Sequence, residues 1–177
     1  GDPRDVVLDG GSARRVVKVD HTGATLSSVT VSNGKLTPNN SYGAGIYLDR
    51  GTVTNCTFTK CRGYGGGGVY LKGGLVTKCY FEGCRLINWY MGMRAGSAVL
   101  VDGGTLRDSE IVRNYADAGY YNGTGDYGGG AVSVINAASV VERCTIAYNE
   151  LKDPGGNSHA QWARVAGVGL NAGLVRN

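Results

Sequence analysis

A segment that recurs along the chain constrains its fold more than anything else in it. Residues 45–58 read Gly-Ile-Tyr-Leu-Asp-Arg-Gly-Thr-Val-Thr-Asn-Cys-Thr-Phe, and residues 68–81 read Gly-Val-Tyr-Leu-Lys-Gly-Gly-Leu-Val-Thr-Lys-Cys-Tyr-Phe. They align without a gap. A third copy spans residues 98–111, and a fourth, two residues longer at its turn, runs from Ala131 to Ile146. A divergent copy covers Val16 to Val31, and a partial one starts at Gly167. The anchor positions are Val29, Cys56, Cys79, Ser109 and Cys144, at intervals of 27, 23, 30 and 35 residues. Constant motifs with variable intervals describe stacked coils whose loops differ in length.

Each copy reads as two short strands. Val53, Cys56 and Phe58 alternate with Thr52, Thr54, Thr57 and Thr59, so one face is buried and the other wet. Glycine, 31 of 177 residues, sits at the bends, and proline is only 3. No helical pattern reaches ten residues. A coil of this kind cannot bury its inner face alone and must stack on its neighbours. The expected fold is all-β: a single domain over residues 1–177, a parallel β-helix of about five to six coils. Its last coil is incomplete, and its insertions lie along one edge. The chain begins at Gly1 and stops mid-coil, which reads as a processed piece of something longer.

Stacking converts the alignment into contacts. Leu26, Val53, Val76, Leu106, Val141 and Val175 form one expected inner ladder. Val31, Phe58, Phe81, Ile111 and Ile146 form another. Five residues past the anchor come Gly34, Cys61, Cys84, Asn114 and Asn149, a turn ladder in which amides bond along the axis. Outside, charges alternate by coil: Lys78, Asp108, Arg143; Arg107, Glu142; Asp49, Lys72, Asp102. These rows read as cross-strand pairing or as a polar binding or catalytic row, with pairing preferred. Cys56, Cys79 and Cys144 point inward at the anchor, and Cys61 and Cys84 at the turn. Their spacing does not converge on one point as zinc requires. Free thiols are expected, with Cys61–Cys84 the pair best placed to bridge.

The motif Gly-Gly-Val-Tyr-Leu followed by Gly-Thr-Val-Thr-Asn-Cys-Thr-Phe resembles the right-handed parallel β-helix superfamily that includes pectate lyases. Its repeats are most similar to those of bacterial secreted and surface proteins of the polymorphic outer-membrane and autotransporter-passenger type. The resemblance implies an extracellular protein, secreted or on the cell surface, and says little about activity.

The insertions are expected at Lys35–Tyr42, Arg62–Gly65, Arg85–Gly96, Tyr115–Gly128 and Glu150–Ala166. All share one place in the repeat, so they emerge on one edge, where solenoids commonly bind. They hold both tryptophans and seven of the eleven tyrosines. Trp89, Tyr90, Arg94, Tyr115, Tyr120, Tyr121, Tyr127, His159, Trp162 and Arg164 form the expected binding set, suited to sugar faces or a protein surface. The alternative is that these rings form the loops' own small core.

The leading expectation is an adhesion-type β-helix that binds a polysaccharide or a surface protein. One alternative is a carbohydrate-active enzyme using Asp117 or Asp126 with Arg94, or the row Asp49, Lys72 and Asp102. Calcium accompanies such enzymes in the superfamily. Here a lone Gly123-Thr-Gly-Asp126 turn is not a tandem site, so no cofactor or metal is expected. No catalytic residue is assigned, since no carboxylate pair is fixed and His21 and His159 stand far apart. A second alternative is a fibre built by end-to-end self-association through open coil ends. With a net charge of +4, alternating signs and no long apolar run, neither nucleic acid nor a membrane span is expected. Sequons at Asn39, Asn55 and Asn122 matter only in a glycosylating host, and Asn55, read as a strand residue, is a poor acceptor.

Overall fold

The structure is a computed structural model that describes residues 1–37, 42–87, 96–117, 130–152 and 166–177. Within them the chain winds as a parallel β-helix, every strand pairing in parallel with the equivalent strand one coil away. Each full coil has four faces, not two. The third coil shows them plainly: Val69–Leu71, Leu75–Thr77, Tyr80–Glu82 and Arg85–Leu86. The coils before and after repeat this order, and Ile46–Thr54 and Val17–Ser27 each run through the first two faces as one bent strand. The register is the one the alignment requires. Leu26, Val53, Val76, Leu106, Val141 and Val175 stack in order. So do Val31, Phe58, Phe81, Ile111 and Ile146. Val7–Asp9 adds a rung beneath Thr30–Ser32.

The interior is dry. Ile46, Leu48, Val53, Phe58, Val76, Phe81, Leu106 and Ile111 are fully buried, and the Phe58 and Phe81 rings stack at 4.5 Å and 6°. An in-register rung of ~4.8 Å brings identical aromatic rings into this contact without any adjustment of the backbone.

The corners explain the residue choices that alternation does not. Between the first and second faces stand Gly51, Gly74, Gly104 and Gly173, all with φ between 71° and 100°. A Cβ on Gly74 would lie 2.4 Å from the Gly51 carbonyl, so these rungs require glycine, whereas Ala24 and Ser139 hold the equivalent place in other coils. The next two corners use two residues each. The first residue is outward and left-handed: Ser28, Asn55, Lys78, Asp108 and Arg143 at one corner, Asn33, Lys60, Gly83, Arg113 and Tyr148 at the other. Asn55 therefore sits exposed at a corner with φ 51°, not within a strand.

The second residue of each corner points inward and, from the second coil on, is a small hydrogen-bonding residue; Val29 and Gly34 hold these places in the first coil. Cys56, Cys79 and Cys144 donate Sγ–H to the carbonyls of Thr54, Thr77 and Glu142, two residues back, at 3.2–3.3 Å. Ser109 does the same to Arg107 at 2.7 Å. Each thiol also lies 3.7–3.9 Å from a carbonyl one coil earlier, that of Leu26, Val53 or Leu106. At the other corner Asn114 Nδ2 donates to Val112 and to Phe81 of the preceding coil, both at 3.0 Å. Asn149 Nδ2 reaches Ile111 in the same way, and Asn149 Oδ1 accepts from the Asn114 N–H at 2.9 Å. Cysteine, serine and asparagine interchange here because each fits inside a bend and supplies a donor to carbonyls that the turn leaves short of partners.

In-and-out assignment is testable at one pair of neighbours. Phe81→Ala should lower unfolding free energy by about 3–5 kcal/mol. Tyr80→Ala, on the outer side of the same strand, should change it by less than about 1 kcal/mol. Urea denaturation of both variants reads the difference, and equal losses would contradict the register.

Candidate functional site

The fourth face carries a row of side chains that sheet pairing aligns. Lys35 bridges to Arg62, Arg62 pairs with Arg85, Arg85 with Tyr115, and Tyr115 with Glu150. The alternate positions point inward, where Gly63, Leu86 and Ala116 are buried. Lys35, Arg62, Arg85, Tyr115 and Glu150 thus share one outer face, a rung apart. Beside them, along the adjoining corner, lie Lys60, Arg113 and Tyr148, all exposed.

Charge is unevenly shared along this row. Its early rungs are cationic, with Lys35, Arg62 and Lys60 making no ion pair among the described residues. Like charges one rung apart repel by about 1 kcal/mol when fully hydrated. The later rungs are aromatic. The Arg85 guanidinium lies 5.4 Å from the Tyr115 ring centre, and that of Arg113 lies 6.0 Å from the Tyr148 ring. Arg113 Nη1 also stands 3.3 Å from Glu82 Oε1. Arg113, Asn114, Tyr115, Tyr148 and Glu150 line a cleft of about 350 Å³. Tyr148 is 79% exposed, an extreme value for a large ring and available for stacking.

A second aromatic group is closed. On the outer side of the first face, Tyr47 and Tyr70 approach edge to face at 5.2 Å, and Tyr42 lies 5.1 Å from Tyr70. Arg15 caps Tyr47 at 5.2 Å and donates to the Tyr42 and Gly43 carbonyls. Tyr70 is buried, and its hydroxyl donates to Asp102 at 2.6 Å. Burial first, and then the bond to Asp102, push the Tyr70 phenol well above its ordinary value. It is a neutral, satisfied group that packs a seam.

Several expectations change against this geometry. Tyr115 is not a loop residue but the first residue of the strand Tyr115–Asp117. The insertions begin later than expected, because Arg62–Gly63, Arg85–Leu86, Tyr115–Asp117 and Glu150–Lys152 are the strands of the fourth face itself. Tyrosine is not confined to loops, since Tyr47, Tyr70 and Tyr80 lie in strands. Trp89, Tyr90, Arg94, Tyr120, Tyr121, Tyr127, His159, Trp162 and Arg164 lie outside the described residues, as does Asp126.

The charged rows are ion pairs, some with partners other than those expected. Arg143 Nε meets Asp108 Oδ1 at 2.7 Å, and Lys72 Nζ meets Asp49 Oδ1 at 3.1 Å. Asp102 bonds Tyr70 and not Lys72. Glu142 pairs with Arg176 at 2.9 Å and Arg143 at 3.1 Å, while Arg107 faces its neighbour Asp108 at 3.6 Å. All five cysteines are free thiols, Cys61 and Cys84 included. Among the described residues no group of three or more His, Cys, Asp or Glu gathers around a metal position, and no helix is long and apolar enough to cross a membrane.

A scan of protein families matches the one described as "right handed beta helix region" over residues 15–170. The chain belongs to the right-handed β-helix family. Comparisons with curated proteins and with solved structures give no match. The chirality of this β-helix accords with the general preference of parallel crossovers, and its four-faced coil places the cationic row on the edge that precedes each insertion.

The ion-pair rows of the β-helix carry a pH signature. The hydrogen bond from Arg143 holds Asp108 below the usual carboxylate range, and that from Arg176 does the same for Glu142. A depressed carboxylate stabilises the fold above its unfolded pKa of about 4 and ceases to do so as pH falls through its folded value. Asp108→Asn should therefore flatten the loss of stability between pH 5 and pH 3, relative to the parent chain (about two pH units spanning the unfolded carboxylate range). Urea midpoints across that range measure the slope.

Proposed function

We propose that the protein is an extracellular β-helix that binds an acidic polysaccharide along its fourth face. The observation that carries this reading is the single outer row of Lys35, Arg62 and Arg85 continuing into Tyr115 and Glu150. Cations one rung apart repel one another in the free protein, and a bound polyanion relieves that repulsion. An extended glycan with one carboxylate per sugar repeats on nearly the spacing of the rungs, ~4.8 Å. Its anionic groups would meet Lys35, Arg62, Arg85 and the neighbouring Lys60 and Arg113. Its sugar faces would stack on Tyr115 and Tyr148, since flat rings with polar edges suit the hydrophobic faces of pyranoses. Glycosidic hydrolysis calls for a carboxylate pair, and this row holds one carboxylate, Glu150, so the reading is of binding.

Adhesion at a cell surface is the role that fits such a row, because multivalent contact along a repeat multiplies weak single-site affinities. The segments that hold Trp89, Trp162 and their neighbours follow the same face in sequence.

Titration calorimetry with alginate and polygalacturonate, and with neutral dextran as control, tests the proposal. The parent chain should bind the acidic polymers, more weakly as salt rises. The Arg62→Ala/Arg85→Ala double variant should lose at least about tenfold in affinity, since charge-assisted hydrogen bonds contribute about 1.5–3 kcal/mol each. Lys18→Ala, which removes a cation already paired with Asp20 at 2.7 Å, should bind as the parent does. Undiminished binding by the double variant would defeat the reading.

A further inference from the structure

We infer that the second and third coils carry a pair of latent inter-coil disulfides, Cys56–Cys79 and Cys61–Cys84, that close under oxidising conditions and leave Cys144 as the one free thiol. The inference does not rest on the glycan reading.

Register is its first support. Cys56 and Cys79 are flanked on both sides by paired residues, Thr54 with Thr77 and Thr57 with Tyr80. Cys61 and Cys84 are flanked by Thr59 with Glu82 and by Arg62 with Arg85. Each cysteine therefore stands one rung, ~4.8 Å, from its partner. A disulfide accommodates Cα separations of roughly 4.4–6.8 Å. Both side chains of each pair point into the same bend of the core, and all four residues are at most 3% exposed.

Direct interaction is the second support. The thiols of Cys56 and Cys79 perturb each other. A hydrogen bond from Cys79 draws the Cys56 thiol down to about 7, and the same contact together with burial pushes Cys79 well up. Cys84 is pushed up by its hydrogen bond with Cys61 and by burial. The two thiols of each pair are thus near enough for either to attack a mixed disulfide formed on the other. Cys144 has no such neighbour, because its ladder places Ser109 in the preceding coil.

The chemistry is an exchange with an external disulfide such as oxidised glutathione. The Cys56 thiolate attacks one sulfur and expels the first glutathione thiolate. Cys79 then loses its proton to solvent and attacks the Cys56 sulfur of the mixed disulfide, expelling the second. Two cysteine thiols are oxidised, and one glutathione disulfide is reduced to two thiols. Cys61 and Cys84 follow the same course with a second equivalent. The product is uncharged, which suits a dry interior. It forfeits the thiol donors to Thr54, Leu26, Thr77 and Val53, so the reduced form keeps a competing set of bonds and the bridges remain reducible.

Both bridges join the same two coils, on either side of the strands that hold the Phe58–Phe81 stack. Cys61 directly precedes Arg62, and Cys84 directly precedes Arg85. Closure of that pair therefore fixes the spacing of two cations on the outer row.

The test incubates the whole chain with oxidised glutathione, both folded and refolding from urea, then denatures, alkylates and maps it by mass spectrometry. The expected product of at least one arm carries one alkyl group, on Cys144, and yields linked peptides Cys56–Cys79 and Cys61–Cys84. Dithiothreitol should restore five alkylation sites. Cys79→Ser should keep the Cys61–Cys84 link and expose Cys56, and Cys84→Ser should do the converse. Serine already serves this position at Ser109, so these variants retain the corner bonds. Five alkylated cysteines in both arms, or links within one coil such as Cys56–Cys61, would overturn the inference.

Discussion

The in-register parallel rung is the constraint on which everything else depends. Because each strand bonds to its equivalent one coil away, every position in the repeat becomes a column along the axis. A column must then suit itself. Inner columns accept only residues that pack on their own kind, as Phe58 does on Phe81. The first corner requires glycine where coils follow one another closely, because a Cβ at Gly74 or Gly104 meets the carbonyl of the glycine below. The inward corner columns favour small donors, because the carbonyls beside the bend need partners.

The columns that were legible in the sequence are those where burial dictates the residue type. Alternation identified the Val53 and Phe58 columns, and the anchor offset identified the Asn114 and Asn149 amides with their axial bonds. The fourth face was not legible as a strand. Arg62–Gly63 and Arg85–Leu86 are two residues long, too short for any period to show, and they run straight into the variable segments. They were therefore assigned to insertions. The cationic row was missed for the same reason, although its signal was present. Lys35, Arg62, Arg85, Tyr115 and Glu150 stand six residues past their anchors, one column beyond the asparagine ladder. The left-handed corners were equally hidden. Lys78, Arg113 and Tyr148 have no preference for positive φ, and only the stacked neighbours hold them there.

That same burial rule explains why the outer columns vary so freely. An outward corner residue is not packed in a core, so Ser28, Asn55, Lys78, Asp108 and Arg143 succeed one another with varied chemistry that tolerates the bend. Some opposite charges on successive rungs pair, as Asp108 does with Arg143. Exposed pairs of this kind add little individually. Their effect is to make neighbouring coils electrically compatible, so a row in which they do not alternate stands out physically.

The early fourth face is such a row. Three rungs carry Lys35, Arg62 and Arg85, and the backbone gives them no freedom to move apart, since the rung spacing is set by hydrogen bonds on the inside of the same residues. Arg62 N–H donates to Gly34 and Arg85 N–H to Cys61, both at 2.8 Å. The interior column at Gly34, Cys61 and Cys84 therefore fixes the exterior column at Lys35, Arg62 and Arg85. A repeat that holds like charges at fixed spacing stores a modest electrostatic cost in its free state. A ligand recovers that cost only by presenting opposite charges at the same interval, which makes the pitch of the β-helix itself the element of recognition.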